Sequence, residues 1–358
     1  MKKRIIGIDV ARALAVFGMV IVHFKIVFGD TGNDWLKAFA NLFDGKAAAT
    51  FVVLAGIGLA LMTNSALKNG DVQKLRTAKR RIAKRALFLF VVGLSYLWIW
   101  PADILHSYAF YMLVTLLLIA RKSNEIPIWI VGAILLFPAL LLFLNYETGW
   151  DFTTLEYVDF WTVKGFTRNL LFNGFNPVVP WVAFMLYGLW YGRKDLNDTA
   201  FVKKSFVIGL VSFIVIQLIS YTLLQYSSGD EIQYNEDLKA FFGTDPMPPM
   251  PIFMLNGIAI ATTVISGCIL LARKYENNFI IKTLYKTGRL ALTFYVAHVV
   301  IGIGFMEELG PKELGTYSIV FSVAYALVFS LVCMLFALVW TKYRKAGPLE
   351  WVMRKVSD

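Results

Sequence analysis

Apolar residues in this chain gather into ten stretches separated by polar connections, near 5–28, 46–64, 86–101, 103–120, 126–145, 177–191, 205–226, 251–272, 289–306 and 318–340. Most approach the roughly 20 apolar residues a helix needs to cross a bilayer, and the shorter ones suit tilted or partly shortened crossings. The expected fold is all-α: a polytopic integral membrane protein of about ten transmembrane helices. Residues 1–358 read as a single domain, with no convincing internal repeat, low-complexity tail or separate soluble domain. PMPPMP at 246–251 breaks helix just before the eighth stretch, and two prolines open the sixth at Asn176-Pro177-x-x-Pro180-Trp181.

The first stretch breaks its own pattern. Arg4–Phe28 is long enough to span, yet it carries Asp9, Arg12 and His23. Ionisable groups inside a span are costly and mark function by default. At about 100° per residue these three share one helix face with Val16 and Met19, and Arg12 and His23 lie about 16 Å apart along the axis. Lipid cannot solvate such a stripe, so other helices must. The opening MKKR resembles the start of a signal peptide. Asp9 and Arg12 interrupt its apolar core and no clean small-x-small cleavage site follows, so the segment reads as a retained anchor.

Composition agrees: 58% of residues are hydrophobic and 16% charged, which suits a membrane protein better than a soluble domain. The net charge of +11 is unevenly spread, which argues for topogenic charge and against nucleic acid as a partner. Most basic residues fall in connections on one side, densest in the loop Lys74–Arg85, which holds Lys79, Arg80, Arg81, Lys84 and Arg85. The positive-inside rule then puts both termini in the cytoplasm and the connections 146–176 and 227–250 outside. The basic loop serves topology and is also dense enough to hold phosphates. The aromatic-rich 146–176 connection, with Trp150, Tyr157, Trp161 and Phe175, reads as an interfacial belt or a sugar-stacking platform, with room for a short surface-lying helix. Small residues in 50–61 and 292–304 predict close helix–helix contacts.

Candidate chemistry is sparse. The three histidines, His23, His106 and His298, all fall in apolar stretches, in the outer half or near the midplane by the same topology. Asp103 lies one turn before His106 and could orient its imidazole as a base. Hydrogen-bonding between helices is the rival role for all three. No metal is expected, because no HxxxH or HxxE spacing or acidic cluster accompanies them. Asp9 and Arg12 could neutralise each other, or Arg12 could face a cavity and bind an anion. Cys268 and Cys333 lie in apolar spans and offer no disulfide framework. No P-loop, GxSxG, HExxH or dinucleotide fingerprint stands in a suitable context.

At these residues the chain resembles a transmembrane acyltransferase. Arg4-x-x-Gly7-Ile8-Asp9-x-x-Arg12-Ala13 with Met19-Val20-x-Val22-His23 is similar to the first helix of the bacterial relatives of heparan-α-glucosaminide N-acetyltransferase, including the YeiB-like proteins, and more distantly of acyltransferase family 3. Phe43-Asp44-Gly45 followed by Phe51-Val52-Val53-Leu54-Ala55-Gly56 resembles their second helix, and Asp103-Ile104-Leu105-His106, Asn176-Pro177-x-x-Pro180-Trp181 and Gly288-Arg289-x-Ala291-Leu292-Thr293-x-Tyr295 with His298 continue the match in order. The resemblance implies transfer from cytosolic acetyl-CoA or another acyl-CoA to a hydroxyl or amine of an extracytoplasmic sugar, glycan or lipid-linked acceptor. It makes His23 the base or acyl carrier, with His106, Asp103 and His298 as further catalytic candidates. Asp9, Arg12 and the basic loop would then hold the CoA phosphates, and Asn176, Tyr108 and Tyr295 would meet the reacting groups. The chain departs from the lysosomal enzyme before the second helix, where Phe39-Ala40-Asn41 stands and no histidine does. A bacterial cytoplasmic (inner) membrane is the expected location, with membrane lipids as surroundings and a homo-oligomer compatible with the sequence. The rival classes are a transporter or lipid or glycan flippase, to which inverted repeats or paired broken helices would point, and a non-catalytic scaffold whose histidines would tolerate substitution.

Overall fold

The computed structural model describes residues 4–227 and 238–358, so part of the 227–250 connection, expected outside, lies beyond the described residues. Each of the ten apolar stretches carries a helix: α1 (Ile6–Phe28), then a short α2 (Asp34–Asn41), α3 (Lys46–Lys68), α4 (Val72–Leu94), α5 (Leu105–Leu118), α6 (Ile126–Leu141), a short α7 (Val163–Arg168), α8 (Val178–Tyr191), α9 (Thr199–Ser227), α10 (Pro251–Lys274), a short α11 (Phe279–Gly288), α12 (Ala291–Ala297) running on into α13 (Gly304–Leu309), α14 (Ile319–Tyr343) and a final α15 (Pro348–Ser357). The protein is an all-α polytopic membrane protein. Among the described residues six helices are long and apolar enough to cross a bilayer, or seven when the bent pair Val163–Asn173 and Val178–Tyr191 is taken as one span; α5 and α6 are shorter apolar helices. Large apolar side chains such as Ile214, Leu218, Val328, Leu331 and Leu335 stand exposed on α9 and α14, as expected of faces whose solvent is lipid.

The first helix is the centre of the packing. It contacts α3, α10, α11, α12 and α14 and buries Asp9, Val16 and Met19 along its predicted stripe. Small residues set the closest crossings: a Cβ at Gly188 of α8 would collide with the backbone carbonyl of Val53, and one at Gly56 of α3 with that of Met185. Both halves of that crossing therefore require glycine, as the small residues of 50–61 predict.

The structure corrects the sequence reading in four places. The basic connection 74–85 is helix, not loop: Asp71 caps α4 by accepting from the Lys74 N–H (2.8 Å), and the helix then runs through the charges into the apolar half. It stops at Leu94 rather than near 101, and residues 95–104 form a chain of turns that carries Tyr96, Trp100 and Asp103 into the interior. The stretch 289–306 is helical to Leu309 but widens into a π turn over His298–Ile303. In 146–176 the short helix is present as α7, joined by an unforeseen hairpin of β1 (Trp150–Asp151) and β2 (Glu156–Tyr157).

If the Lys/Arg bias orients the chain, a cysteine at exposed Thr153 in the hairpin is labelled by an impermeant thiol reagent from outside, and one at exposed Thr77 of α4 is not. Labelling of Thr77→Cys in sealed cells would reverse the orientation.

Candidate functional site

Among the cavities against α1, one touches Arg12 and another His23. The first, about 250 Å³, is lined by Arg4, Arg12, Arg85, Arg289 and Arg354, with Tyr108, Phe51 and Glu350. Asp9 sits behind it, buried, and takes Arg12 Nη1 at 2.7 Å on Oδ1 and Arg4 Nε at 2.6 Å on Oδ2. The ion pair of Asp9 with Arg12 therefore exists, and Arg12 also lines a cavity. Two guanidinium groups on one carboxylate leave one positive charge uncompensated there.

Of the basic residues expected at this site, Arg12 and Arg85 line the cavity, whereas Lys79, Arg80, Arg81 and Lys84 do not. Arg81 instead pairs with Asp358 at 2.9 Å. The cavity gains Arg289, Arg354 and Glu350, of which the last two come from α15. Glu350 is buried and caps the start of α12, accepting from the Leu292 N–H (2.8 Å) and the Thr293 hydroxyl (2.6 Å). Burial pushes its carboxyl above the usual range, against the pull of these donors. The final helix thus closes one wall of the cavity through a cap on the helix that carries His298.

The second cavity, about 430 Å³, is lined by His23, Trp100, Asn176 and Trp181, by Phe43 and Ala48 near the start of α3, and by Thr154 and Leu155 from the hairpin tip. His23 Nδ1 lies 2.7 Å from His298 Nε2, a hydrogen bond across 275 residues of sequence. Such a bond needs one bare ring nitrogen, so at least one of the two imidazoles is neutral. Trp100 packs on the other side of His23, ring centroids 4.6 Å apart. His298 is fully buried in the π turn, a local widening common at functional sites. Asn176, expected beside the acceptor, does line this cavity; its amide reaches the Ala102 carbonyl at 3.5 Å.

Tyr295, expected to meet the reacting groups, lines neither cavity but touches a lining residue of each. Its ring stacks on Phe51 of the arginine cavity (6.1 Å, 18°) and meets His23 of the histidine cavity edge-on at 6.4 Å. Tyr295 is itself fully buried. Tyr108, expected near the acceptor, lines the arginine cavity instead.

Asp103 and His106 line neither cavity. Asp103 is a buried hub: Oδ1 accepts from the Tyr96 hydroxyl (2.6 Å) and the Tyr295 hydroxyl (3.2 Å), and Oδ2 from the His106 N–H (3.2 Å) and, in one tautomer, its Nδ1 (3.3 Å). The predicted Asp103–His106 pair therefore exists, but what it orients is Tyr295 and the 95–104 turns. Gly93 makes room for it, since a Cβ there would stand 2.6 Å from Asp103 Oδ2.

Several contributors escape sequence reasoning. Lys25, in the last turn of α1, is buried and holds both oxygens of Asp44 (2.8 and 2.7 Å) and the Asn41 side chain (2.8 Å), fixing α1 to the start of α3 beside the histidine cavity. A second ionisable group two residues after His23 was the available sign. The hairpin tip offered none in two-residue strands, though Leu155 holds a left-handed backbone (φ 56°), which a branched side chain disfavours and a demanding local geometry imposes.

An arginine-lined cavity and a histidine-bearing one, with aromatic rings packed between them, offer positive charge at one end and an imidazole at the other. Among the described residues no cluster of His, Cys, Asp and Glu could hold a metal ion. The chain is 24% identical over 410 aligned positions to the uncharacterized protein YxaH of Bacillus subtilis (strain 168), covering 99% of this chain and 94% of that protein. Residues 192–358, which include His298 and α15, match a family described as a protein of unknown function (DUF418). Residues 4–227, from α1 to α9, match the family described as heparan-alpha-glucosaminide N-acetyltransferase, catalytic, which points to a transmembrane N-acetyltransferase. The match takes in more than half of the sequence, and the chain belongs to that acetyltransferase family.

Proposed function

We propose that this protein moves an acetyl group from acetyl-CoA, held in the arginine cavity on the cytoplasmic side, to a sugar-type hydroxyl or amine in the histidine cavity on the opposite side of a bacterial cytoplasmic membrane. The observation that carries this reading is the pair of cavities on one helix, five arginines around one and His23 at the other, joined through Phe51 and Tyr295. Guanidinium groups suit the phosphates of the carrier. The long pantetheine arm can follow the aromatic contacts toward His23 while the phosphates stay behind. At His23 a neutral imidazole removes the proton of the attacking group, or takes the acetyl group first and passes it on. His298, hydrogen-bonded to His23, shares the developing positive charge. Asp103 acts through Tyr295 and is a positioning residue, as is His106.

Arg12 gives the direct test. Arg12→Ala should weaken acetyl-CoA binding to the purified protein by about 10- to 150-fold, the loss of a charge-assisted contact of roughly 1.5–3 kcal/mol, and leave acceptor KM nearly unchanged. Calorimetry against acetyl-CoA measures the first and a transfer assay the second. Unchanged donor affinity in a folded Arg12→Ala protein would reduce Arg12 to a partner of Asp9.

A transport reading draws on the bent pair α7–α8, whose segments meet at 49°, because broken helices line many transporter sites. It predicts acceptor flux across sealed vesicles without hydrolysis of acetyl-CoA.

A further inference from the structure

The acyltransfer reading leaves the acceptor's chemistry open, and the histidine cavity narrows it. Among the described residues lining that cavity, His23 is the only titratable side chain. The nearest cations do not serve it: Lys25 is buried on Asp44, and the Lys46 ammonium is turned to the Asp44 backbone carbonyl. The contrast with five arginines in the other cavity is sharp. A polyanionic glycan would bring uncompensated charge into this space, and so would a cationic acceptor, since no carboxylate lines it among the described residues.

The walls are of two kinds. Asn176 and Thr154 supply polar groups, whereas Met19, Val22, Ile26 and Val27 form an apolar strip down α1. Ile26 lines the cavity and is 49% exposed. The strip therefore gives the cavity an apolar wall that an apolar body can lie against. We infer that the acceptor is an uncharged amphiphile, a neutral sugar-type alcohol on an apolar body. This inference rests on the acyltransfer reading. In the transfer the acetyl C–S bond breaks and an acetyl C–O bond forms. The hydroxyl proton passes to His23 and then to the leaving thiolate, so no further reactant is needed.

The test uses the full chain in phosphatidylcholine nanodiscs with labelled acetyl-CoA and a series of uncharged acceptors, methyl, butyl, hexyl and octyl β-D-glucoside, each below its micelle concentration, beside a heparan-type oligosaccharide ending in glucosamine. The expected kcat/KM rises about fourfold per added methylene over the first few, the effect of burying each in an apolar wall, and the oligosaccharide is barely labelled. Partition into the bilayer could mimic the rise, so the series is repeated on Ala48→Phe, or on Ala48→Leu should the larger side chain prevent folding. Filling the cavity should flatten the series while acetyl-CoA affinity by calorimetry stays unchanged. A flat series in the unmodified protein, a preference for the oligosaccharide, or a rise that survives the filled cavity overturns the inference. Acetyl-CoA bound with no label on any glucoside also overturns it and leaves the donor cavity standing. No acetyl-CoA binding overturns the acyltransfer reading beneath it.

Discussion

Replacing His23 by alanine should lower acetyl transfer by about 10²–10⁴-fold, the usual loss on removing a general base, without unfolding the protein. His23 is the titratable group that lines the acceptor cavity, and its ring is held between Trp100 and His298 at 4.6 and 4.9 Å. Alanine leaves that position without a proton acceptor, while acetyl-CoA should bind as before at the far end of α1. His106→Ala gives the contrast. Its imidazole is buried against Asp103 and lines neither cavity, so the expected change is in yield and melting temperature rather than turnover per folded molecule. Both variants are purified, checked by elution profile and melting, and assayed for acetyl transfer and CoA release. Near-normal turnover by folded His23→Ala would reject the role given to His23, and loss in His106→Ala alone would reverse the assignment.

Asp103→Ala should give the largest loss of stability among the site residues. The carboxylate accepts from Tyr96, Tyr295 and the His106 backbone, all buried. Alanine leaves these donors unmet, at about 1–3 kcal/mol each, a large share of a typical stability of roughly 5–15 kcal/mol. Asp103→Asn keeps one carbonyl oxygen for the two tyrosines and should cost less. Thermal melting in detergent, followed by tryptophan emission, measures both. An Asp103→Ala protein that melts within a degree or two of the parent would show that water or a shifted Tyr295 replaces the carboxylate.

The features legible in the sequence were those that break a strong pattern. Asp9, Arg12 and His23 stood out because the stretch around them is apolar, and helical periodicity put them on one face, where the structure has them. The π turn and the pairing of His23 with His298 were not legible, because no local rule links residues 275 positions apart. The run 74–85 misled for a physical reason. Its charge density tells which side of a membrane it prefers, whereas Lys, Arg and Ala are good helix formers and Asp71 is a good cap. In the same way Tyr96, Trp98 and Trp100 extended an apolar pattern past the true helix end, although Pro101 disfavours helical backbone in the residue before it. Glu350 and Arg354 lie in an amphipathic tail that looked like topogenic charge, and only tertiary packing brings them to the cavity.

The stacked rings of Phe51 and Tyr295 have one more consequence if the chemistry is as proposed. A membrane that stores energy as an ion gradient cannot tolerate an open conduit, and moving a free ion through hydrocarbon carries an idealised penalty of order 20 kcal/mol. With packed aromatic faces between the two cavities, only the uncharged pantetheine arm has to pass them, and the polyanionic end of the carrier never has to leave its own compartment. Only the neutral two-carbon fragment changes sides, and the insulation of the bilayer survives each turnover.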